Sequence, residues 1–570
     1  MTVQTAGPEW VLHPRYAPAV ALPLAEQLGA PPAIGHALVH RGLVDGVSAA
    51  RFLSPSLDDL HEPSGLLDVD RAVARIRHAL ANHERVFVQG DYDVDGITST
   101  FLMVSVLREL GAEVVHRIPH RTRDGYGLSV AAVEEARERS CTLIVTVDCG
   151  ITAVEPVAAA RAAGIDTVIT DHHEPGPRMP DAVAVVNPHR SGDRYAFKAL
   201  AGVGVTFKVA QALWQGRGGI ERVLSYLDVV ALGTIADVVP LVGENRVLAH
   251  EGLKHLQTAC RPGLAALIES AGLTGRRITD GHVAFVLAPR INAAGRMGHA
   301  DQALRLLFAR DREEGASLAE SLEEENTRRR TFDEAAAREA SERVVHELHW
   351  PECAAIVLWS EHWHPGVLGI VASRLVERFQ RPTVLLSVDG DTVRGSGRSA
   401  GGLDLIRVLE ACDDLLASHG GHAFAAGLTT TRDRLPELRE RIERLVRERF
   451  AHAAAGPRLV LDGDVRLAEC DLALADWVQR LAPFGLDNGE PVYRARDLWV
   501  DSATRVGEGR HLRIAVRDAG GSAEAIGFGM GERVAELQRG RRVELAFVPT
   551  RNEWMGQSRL QLRLKGMRVG

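Results

Sequence analysis

Residues 85–100 read RVFVQGDYDVDGITST. Val86, Phe87 and Val88 make a short apolar run of strand type, closed by Gly90. Three aspartates follow at two-residue spacing, Asp91, Asp93 and Asp95, and Gly96 permits a tight entry into an apolar segment of helical period from Ile97 to Leu110. The same alternation continues downstream: EVVHRI, a helix from Ser129 to Arg139, TLIVTV, a helix from Ala153 to Ala163, then IDTVI. Short strands alternating with helices predict a mostly parallel sheet covered on both faces, with ligands beyond the carboxyl ends of its strands. The polar residues fall there, with Asp148 after TLIVTV and Asp171-His172-His173 after IDTVI.

Three carboxylates within five residues repel one another unless cations lie between them. Alone, the run is equally well a solvated acidic turn. Two further strand ends bringing Asp148 and Asp171-His172-His173 to the same edge favour a mixed oxygen and imidazole site. Such a set suits Mn²⁺ or Mg²⁺, and its size fits two ions better than one. Asp237 lies in the apolar stretch LSYLDVVALGTIADVVPL, where an acid is rarely left buried and unpaired. It is either another ligand or a helix-terminal residue exposed before Pro240.

The lysine-poor, helix-forming sequence from 316 to 350 lacks Gly and Pro and carries opposite charges at i,i+4. It predicts a long, largely solvated connecting helix. A second α/β unit follows, with AAIVLW, VLGIVASRLVERF and PTVLLSV, and with expected Gly-rich loops at Gly395, Gly397, Gly420 and Gly421. From about Pro457 short alternating strands predict a β-barrel of OB type. The expected divisions are an N-terminal extension (1–50), a catalytic α/β domain (51–300), the connecting helix (301–350), the second α/β domain (351–455) and the barrel (456–570). The extension carries no readable motif and is expected to pack against the first domain.

The chain has 570 residues, 45% hydrophobic and 25% charged, an ordinary globular balance for several domains. Its six cysteines form no C-x-x-C pair, which fits reduced thiols in a cytoplasm. There is no basic leader before an apolar run and no stretch of membrane-spanning length. The net charge is −8, yet residues 501–570 hold 13 Lys and Arg against 8 Asp and Glu. That basic surplus makes the barrel end either a nucleic-acid contact or, if its charges are only surface charges, a structural brace packed on the first domain.

GDYDVDGITS (90–99), TVDCGI (146–151), TDHHEP (170–175) and GTIADVVPL (233–241) resemble the four successive motifs of the DHH phosphoesterase family. PRINAAGRMG (289–298), RGSGRS (394–399) and GGHAFAAG (420–427) are similar to further signatures of its single-strand exonuclease branch. The resemblance implies that Asp91, Asp93, Asp95, Asp148, His172 and Asp237 form a two-metal site, with Asp148 bridging. It implies that His173 faces the scissile phosphate and that Asp171 orients the neighbouring imidazole. Arg296, Ser396 and Arg398 would fix a 5′ phosphate, with Arg121 a further candidate; for each arginine alone a surface charge is the plainer reading. His422 is either a substrate contact or a core histidine. Gln89 stands where many relatives have His, and PFGLDNGEP (483–491) departs from the family's PFGxGNPEP.

The implied activity is 5′ to 3′ hydrolysis of single-stranded DNA to mononucleotides, in repair and recombination, with two divalent cations, Mn²⁺ or Mg²⁺. The alternatives are a small-substrate DHH phosphodiesterase acting on short oligonucleotides or cyclic dinucleotides, and a non-catalytic DNA-binding scaffold. Single-stranded DNA is the expected partner, with a single-strand-binding protein and a helicase as candidate protein partners and no membrane. A chain ending near Gly456 is expected to keep a complete active site.

Overall fold

The computed structural model describes residues 8–121, 123–258, 260–298, 300–450, 458–554 and 557–570. The expected boundary at 455/456 lies outside them. Strands Arg85–Gln89, Glu113–Arg117, Leu143–Val147, Asp166–Thr170 and Ala184–Val186 form an all-parallel sheet, with Glu113–Arg117 at one edge and Ala184–Val186 at the other. Helices cover both faces. One side packs Ile76, Phe101 and Phe207 and the other Leu128, Val133 and Val157, so the central strands are apolar on both faces over most of their length. The helix after the first strand begins at Val94, earlier than its apolar period suggests, because Asp93 caps it by accepting from the Gly96 amide at 3.0 Å.

The connecting helix runs from Arg312 to His346, 35 residues and roughly 50 Å at ~1.5 Å per residue. It is less solvated than its charge predicts. Leu318 and Leu322 join the core of the first domain, and Ala336, Ala340 and Val344 that of the second, so each end is clamped to a different lobe. In the second lobe, strands Ile356–Ser360 and Thr383–Asp389 are parallel, and Thr392–Arg398, Ala425–Thr431 and Ser418–Gly421 add antiparallel.

Two expectations are overturned. The glycines of RGSGRS and GGH are not in loops: Gly395 and Gly397 lie within strand Thr392–Arg398, and Gly420 and Gly421 end strand Ser418–Gly421. The ladders on both sides of Thr392–Arg398 occupy its backbone, and glycine is needed there for packing, since a Cβ on Gly397 would sit 2.7 Å from Leu405. The N-terminal extension, in turn, packs on the barrel. Glu9–Leu12 pairs in parallel with Arg458–Leu461, and Trp10, Ile34, Leu38 and Leu53 share one core with Tyr493, Leu545 and Phe547. An amphipathic segment needs an apolar partner, and the barrel presents one.

The barrel closes through strands 493–506, 511–517, 522–527, 557–569 and 542–554, the last pairing back to the first. Its junction with the first domain is polar and buried. Arg246 donates to the carbonyls of Phe52, Leu481 and Arg480, and Asn488 to those of Leu481 and Pro483. Asp487, where the family pattern has Gly, has φ 57°, a left-handed conformation that Asp tolerates.

Candidate metal centre and phosphate cleft

The carboxyl ends of three adjacent strands meet at one point. Asp91 follows the strand Arg85–Gln89 and is buried; a Cβ on Gly96 would lie 2.7 Å from it, which is why the helix entry carries glycine. Asp148 follows Leu143–Val147 with φ 59° and is buried too. Asp171 and His172 follow Asp166–Thr170, and Asp237 ends the helix Leu227–Ala236, which delivers its carboxylate from the side.

His172 is the hub. Its Nε2 lies 3.2 Å from Asp148 Oδ1, 3.6 Å from Asp237 Oδ2 and 3.8 Å from Asp95 Oδ2. Among the described residues, two groups have ligand atoms within 4.8 Å of one another: Asp148 with His172 and His173, and Asp95 with His172 and Asp237. Asp91 Oδ1, Asp148 Oδ1 and His172 Nε2 are buried without a hydrogen-bond partner. Orphaned buried acceptors are costly, and three at neighbouring strand ends are what divalent cations would satisfy.

The electrostatics agree. Burial, then the charge of Asp93, raises Asp91 well above the ordinary carboxylate range. Burial and the neighbouring aspartates do the same to Asp148 and Asp237. Asp95 is pushed up to about 7 by burial and Asp93. Burial, with His173 beside it, lowers His172 to about 3, leaving a neutral imidazole able to ligate. Asp95 differs from the others, for its two oxygens accept the amides of Gly202 and Val203 at 2.7 and 2.8 Å and hold the start of helix Gly202–Trp214.

Asp171 faces away from this hub. Its Oδ1 lies 2.8 Å from His173 Nδ1 and its Oδ2 accepts the Ile151 amide. Burial opposes the charge on each partner, but their pairing wins, so Asp171 is lowered and His173 raised. Tyr126, not singled out from sequence, donates its hydroxyl to the Asp148 carbonyl at 3.0 Å and stands 3.0 Å from His173 Nδ1. Asn292 was also missed; its Oδ1 accepts the Val94 amide and pins the aspartate turn from the helix Ala288–Met297. It sits inside a recognisable motif, but nothing in the residue type marks it. Gln89 is buried at the strand end, its Nε2 donating to Gly90 and Gly127 carbonyls.

The cleft above the acids has a volume of about 310 Å³. Aspartates line one wall, and Arg121, Asn292 and Arg296 the other. Arg121 lies over the Tyr92 ring at 4.9 Å. Arg296 donates to the Gly366 carbonyl of the second lobe, and burial with Arg121 nearby lowers it to about 10. Arg398 donates to Ser396 Oγ at 3.1 Å, and it too is lowered by burial and by Arg121. Arginines whose charges destabilise one another favour an anion among them. His422 is not brought to this group: it lies exposed at the turn between strands Ser418–Gly421 and Ala425–Thr431, which excludes the core reading.

A parallel sheet ending in a carboxylate and imidazole cluster, beside a cleft lined by Arg121 and Arg296 and tied to a second lobe through Arg296, defines a two-lobed α/β protein with a divalent-metal centre. Comparison with known proteins narrows this. The DHH family N-terminal domain matches residues 85–234, the DHHA1 domain 352–448 and the RecJ OB domain 461–566. The single-stranded-DNA-specific exonuclease RecJ of Bacillus subtilis (strain 168) is 37% identical, over 96% of this chain and 69% of the relative. That of Dickeya dadantii (strain 3937) is 36% identical over 91% and 94%. The crystal structure of RecJ in complex with Mn²⁺ from Thermus thermophilus superposes with a TM-score of 0.84 at 33% identity, covering 98% of this chain and 79% of that one. The Mg²⁺ complex from the same organism gives 0.79 at 31%, over 98% and 78%. The chain belongs to the RecJ family of DHH proteins.

Proposed function

We propose that the chain is a metal-dependent exonuclease that degrades single-stranded DNA stepwise from its 5′ end. The observation that carries this is the unpartnered set Asp91 Oδ1, Asp148 Oδ1 and His172 Nε2 beneath the arginine-lined cleft. Mn²⁺ or Mg²⁺, the ions of the related Thermus structures, fits that donor set. Asp91, Asp93, Asp95, Asp148, His172 and Asp237 would hold two ions, and Asp95 also positions the start of helix Gly202–Trp214. Bound there, the metals supply a nucleophile at neutral pH and neutralise charge on the reacting phosphate.

The remaining work falls to this chain's own groups. Asp171 fixes His173 through Nδ1, which leaves Nε2 to donate a proton or a hydrogen bond toward the scissile phosphate. Arg296, Ser396 and Arg398, with Arg121, bind the terminal phosphate and so set polarity, and the barrel grips the strand behind it. A complete barrel and N-terminal cover support this reading over a small-substrate phosphodiesterase. A helicase and a single-strand-binding protein, which deliver and hold unpaired strands during repair and recombination, are the partners such an activity calls for. No helix among the described residues is long and apolar enough to cross a membrane. The test is digestion of a 5′-phosphorylated linear strand against a circular strand and a dinucleotide. The linear strand is converted to mononucleotides; rapid cutting of the circle would refute the exonuclease reading, and preference for the dinucleotide would favour the small-substrate one.

A further inference from the structure

Strand Thr392–Arg398 sends its side chains alternately to two faces. Val393, Gly395 and Gly397 turn toward the core of the second lobe, where a Cβ on Gly395 would meet Leu386 and Leu428, so Arg394, Ser396 and Arg398 share the other face. Ser396 and Arg398 belong to the terminal-phosphate group. Arg394 stands two residues further along the same face, roughly 7 Å at ~3.4 Å per residue.

The turn Pro365–Val367 makes a matching step. Arg296, which lines the metal cleft, donates to the Gly366 carbonyl at 3.2 Å, and a Cβ on Gly366 would lie 2.4 Å from the Arg296 carbonyl oxygen. A Cβ on Gly369 would lie 2.6 Å from Arg398 Nη2 and 3.1 Å from Ser396 Oγ, so turn and strand converge on the phosphate residues. One and two residues before Gly366, Pro365 and His364 line a cavity of about 390 Å³ together with Arg394, Thr392, Asp389 and Phe332. Seen from the metal acids the order is Arg296, Gly366, Pro365, His364, which puts this cavity beyond the terminal phosphate. The mechanism above uses none of its lining residues. His364 stacks on Phe332 at 5.5 Å and gives it an aromatic wall. Its charges restrict the occupant, because Arg394 is set against Asp389 and Glu361, the latter paired with Arg432. Additional phosphates would meet those acids, whereas an uncharged nucleoside would not, and the volume and mixed lining are those of a small-ligand site.

We propose that this cavity holds the terminal nucleoside of a strand that lacks a 5′ phosphate. The first internal phosphate of such a strand then occupies the site formed by Arg296, Ser396 and Arg398, and the strand sits one nucleotide out of the register that a phosphorylated end adopts. The inference rests on the nuclease reading above. The first cut adds water across the second phosphodiester: the P–O3′ bond breaks, O3′ leaves with a proton as the hydroxyl of the second nucleoside, and the phosphate stays on the third. The fragment released is a dinucleoside monophosphate. The remaining strand now begins with a 5′ phosphate, so each later cut releases a mononucleotide and leaves the cavity empty.

The experiment digests oligothymidylate bearing a 5′ phosphate or a 5′ hydroxyl, with Mn²⁺, and identifies the first products by mass spectrometry for wild type, Thr392→Trp and Arg394→Ala. Wild type releases only thymidine 5′-monophosphate from the phosphorylated strand, and from the hydroxyl strand a dinucleoside monophosphate before any mononucleotide. Thr392→Trp, which fills the cavity, slows the first cut of the hydroxyl strand by about 10²-fold, the scale for a misplaced reacting group, and leaves the phosphorylated strand's rate and the melting midpoint unchanged. Arg394→Ala raises KM for the hydroxyl strand alone. Should Thr392→Trp fail to fold, the wild-type products decide by themselves. Free thymidine as the first product, no cutting of the hydroxyl strand beside normal cutting of the phosphorylated one, or equal effects of the variants on both ends overturns the cavity's role while the nuclease reading stands. If wild type digests neither strand, both fall.

Discussion

His40 Nδ1 lies 2.8 Å from Asp462 Oδ1, joining side chains 422 positions apart at the seam between the N-terminal segment and the barrel. Around it, His13 stacks on His40 at 4.1 Å, Tyr16 stacks on His36 at 4.8 Å, and the Tyr493 hydroxyl donates to the Ala33 carbonyl. The two ends of the chain make one folding unit.

Removal of residues after 456 therefore exposes Trp10, Ile34, Leu38 and Leu53, whose partners it deletes. A chain ending near Gly456 is expected to aggregate and to be inactive on short and long strands alike, contrary to the reading from sequence. A chain confined to 55–450 lacks that orphaned apolar surface and should melt higher. A soluble 1–456 chain with normal activity on short oligonucleotides would disprove the shared core.

The seam should weaken in acid. Burial, and then the charge of His40, holds His13 and His36 below the ordinary imidazole value, with Asp462 opposing and Arg15 and Arg41 adding to the effect at His13. A folded-state value below the unfolded one means that the unfolded chain binds more protons, so stability present above about pH 6.5 is lost as pH falls below it. Melting scans between pH 7.5 and 5 should show a drop that His36→Gln reduces. An unchanged slope in that variant would remove His36 from the effect.

Lys208 and Glu244 form a fully buried ion pair at 2.6 Å, and the ammonium also donates to the His61 carbonyl. Lys208→Met leaves Glu244 charged and unpaired in the core and should cost about 3–5 kcal/mol. The double variant Lys208→Met, Glu244→Leu should recover much of the loss in urea denaturation. A single variant within about 1 kcal/mol of wild type, on the scale of an exposed pair, would contradict the burial.

Asp93→Ala and Asp237→Ala should abolish hydrolysis with the fold intact. Asp148→Asn should in addition raise the melting midpoint of the metal-free protein, because burial and neighbouring charges already disfavour its ionised form. The same variant should lose the midpoint increase that Mn²⁺ gives wild type. More than about a tenth of wild-type activity at saturating Mn²⁺ in any of the three would remove that residue from the ligand set.

His173→Ala should bind DNA and metal nearly normally yet lose on the order of 10²- to 10⁴-fold in rate. Asp171→Asn, which keeps the size but not the charge that favours His173 protonation, should reproduce part of that loss. Parallel loss of Mn²⁺ affinity in His173→Ala would make His173 a ligand instead.

The sequence alone determined the parallel sheet, because short apolar runs and helical periods are local patterns, and it determined where the acids fall, because a strand's end is a position along the chain. Asp91, Asp148 and His172 were legible for that reason. Tertiary structure decided what no local pattern encodes. That Asp95 closes on the amides of Gly202 and Val203, that Tyr126 reaches His173, and that Gly395 and Gly397 belong to a strand all depend on neighbours far along the chain. The partner of the N-terminal segment was invisible for the same physical reason: burial of an apolar face is non-directional, so the pattern says that Trp10, Ile34 and Leu38 must be covered, and only the assembled fold shows that the barrel covers them.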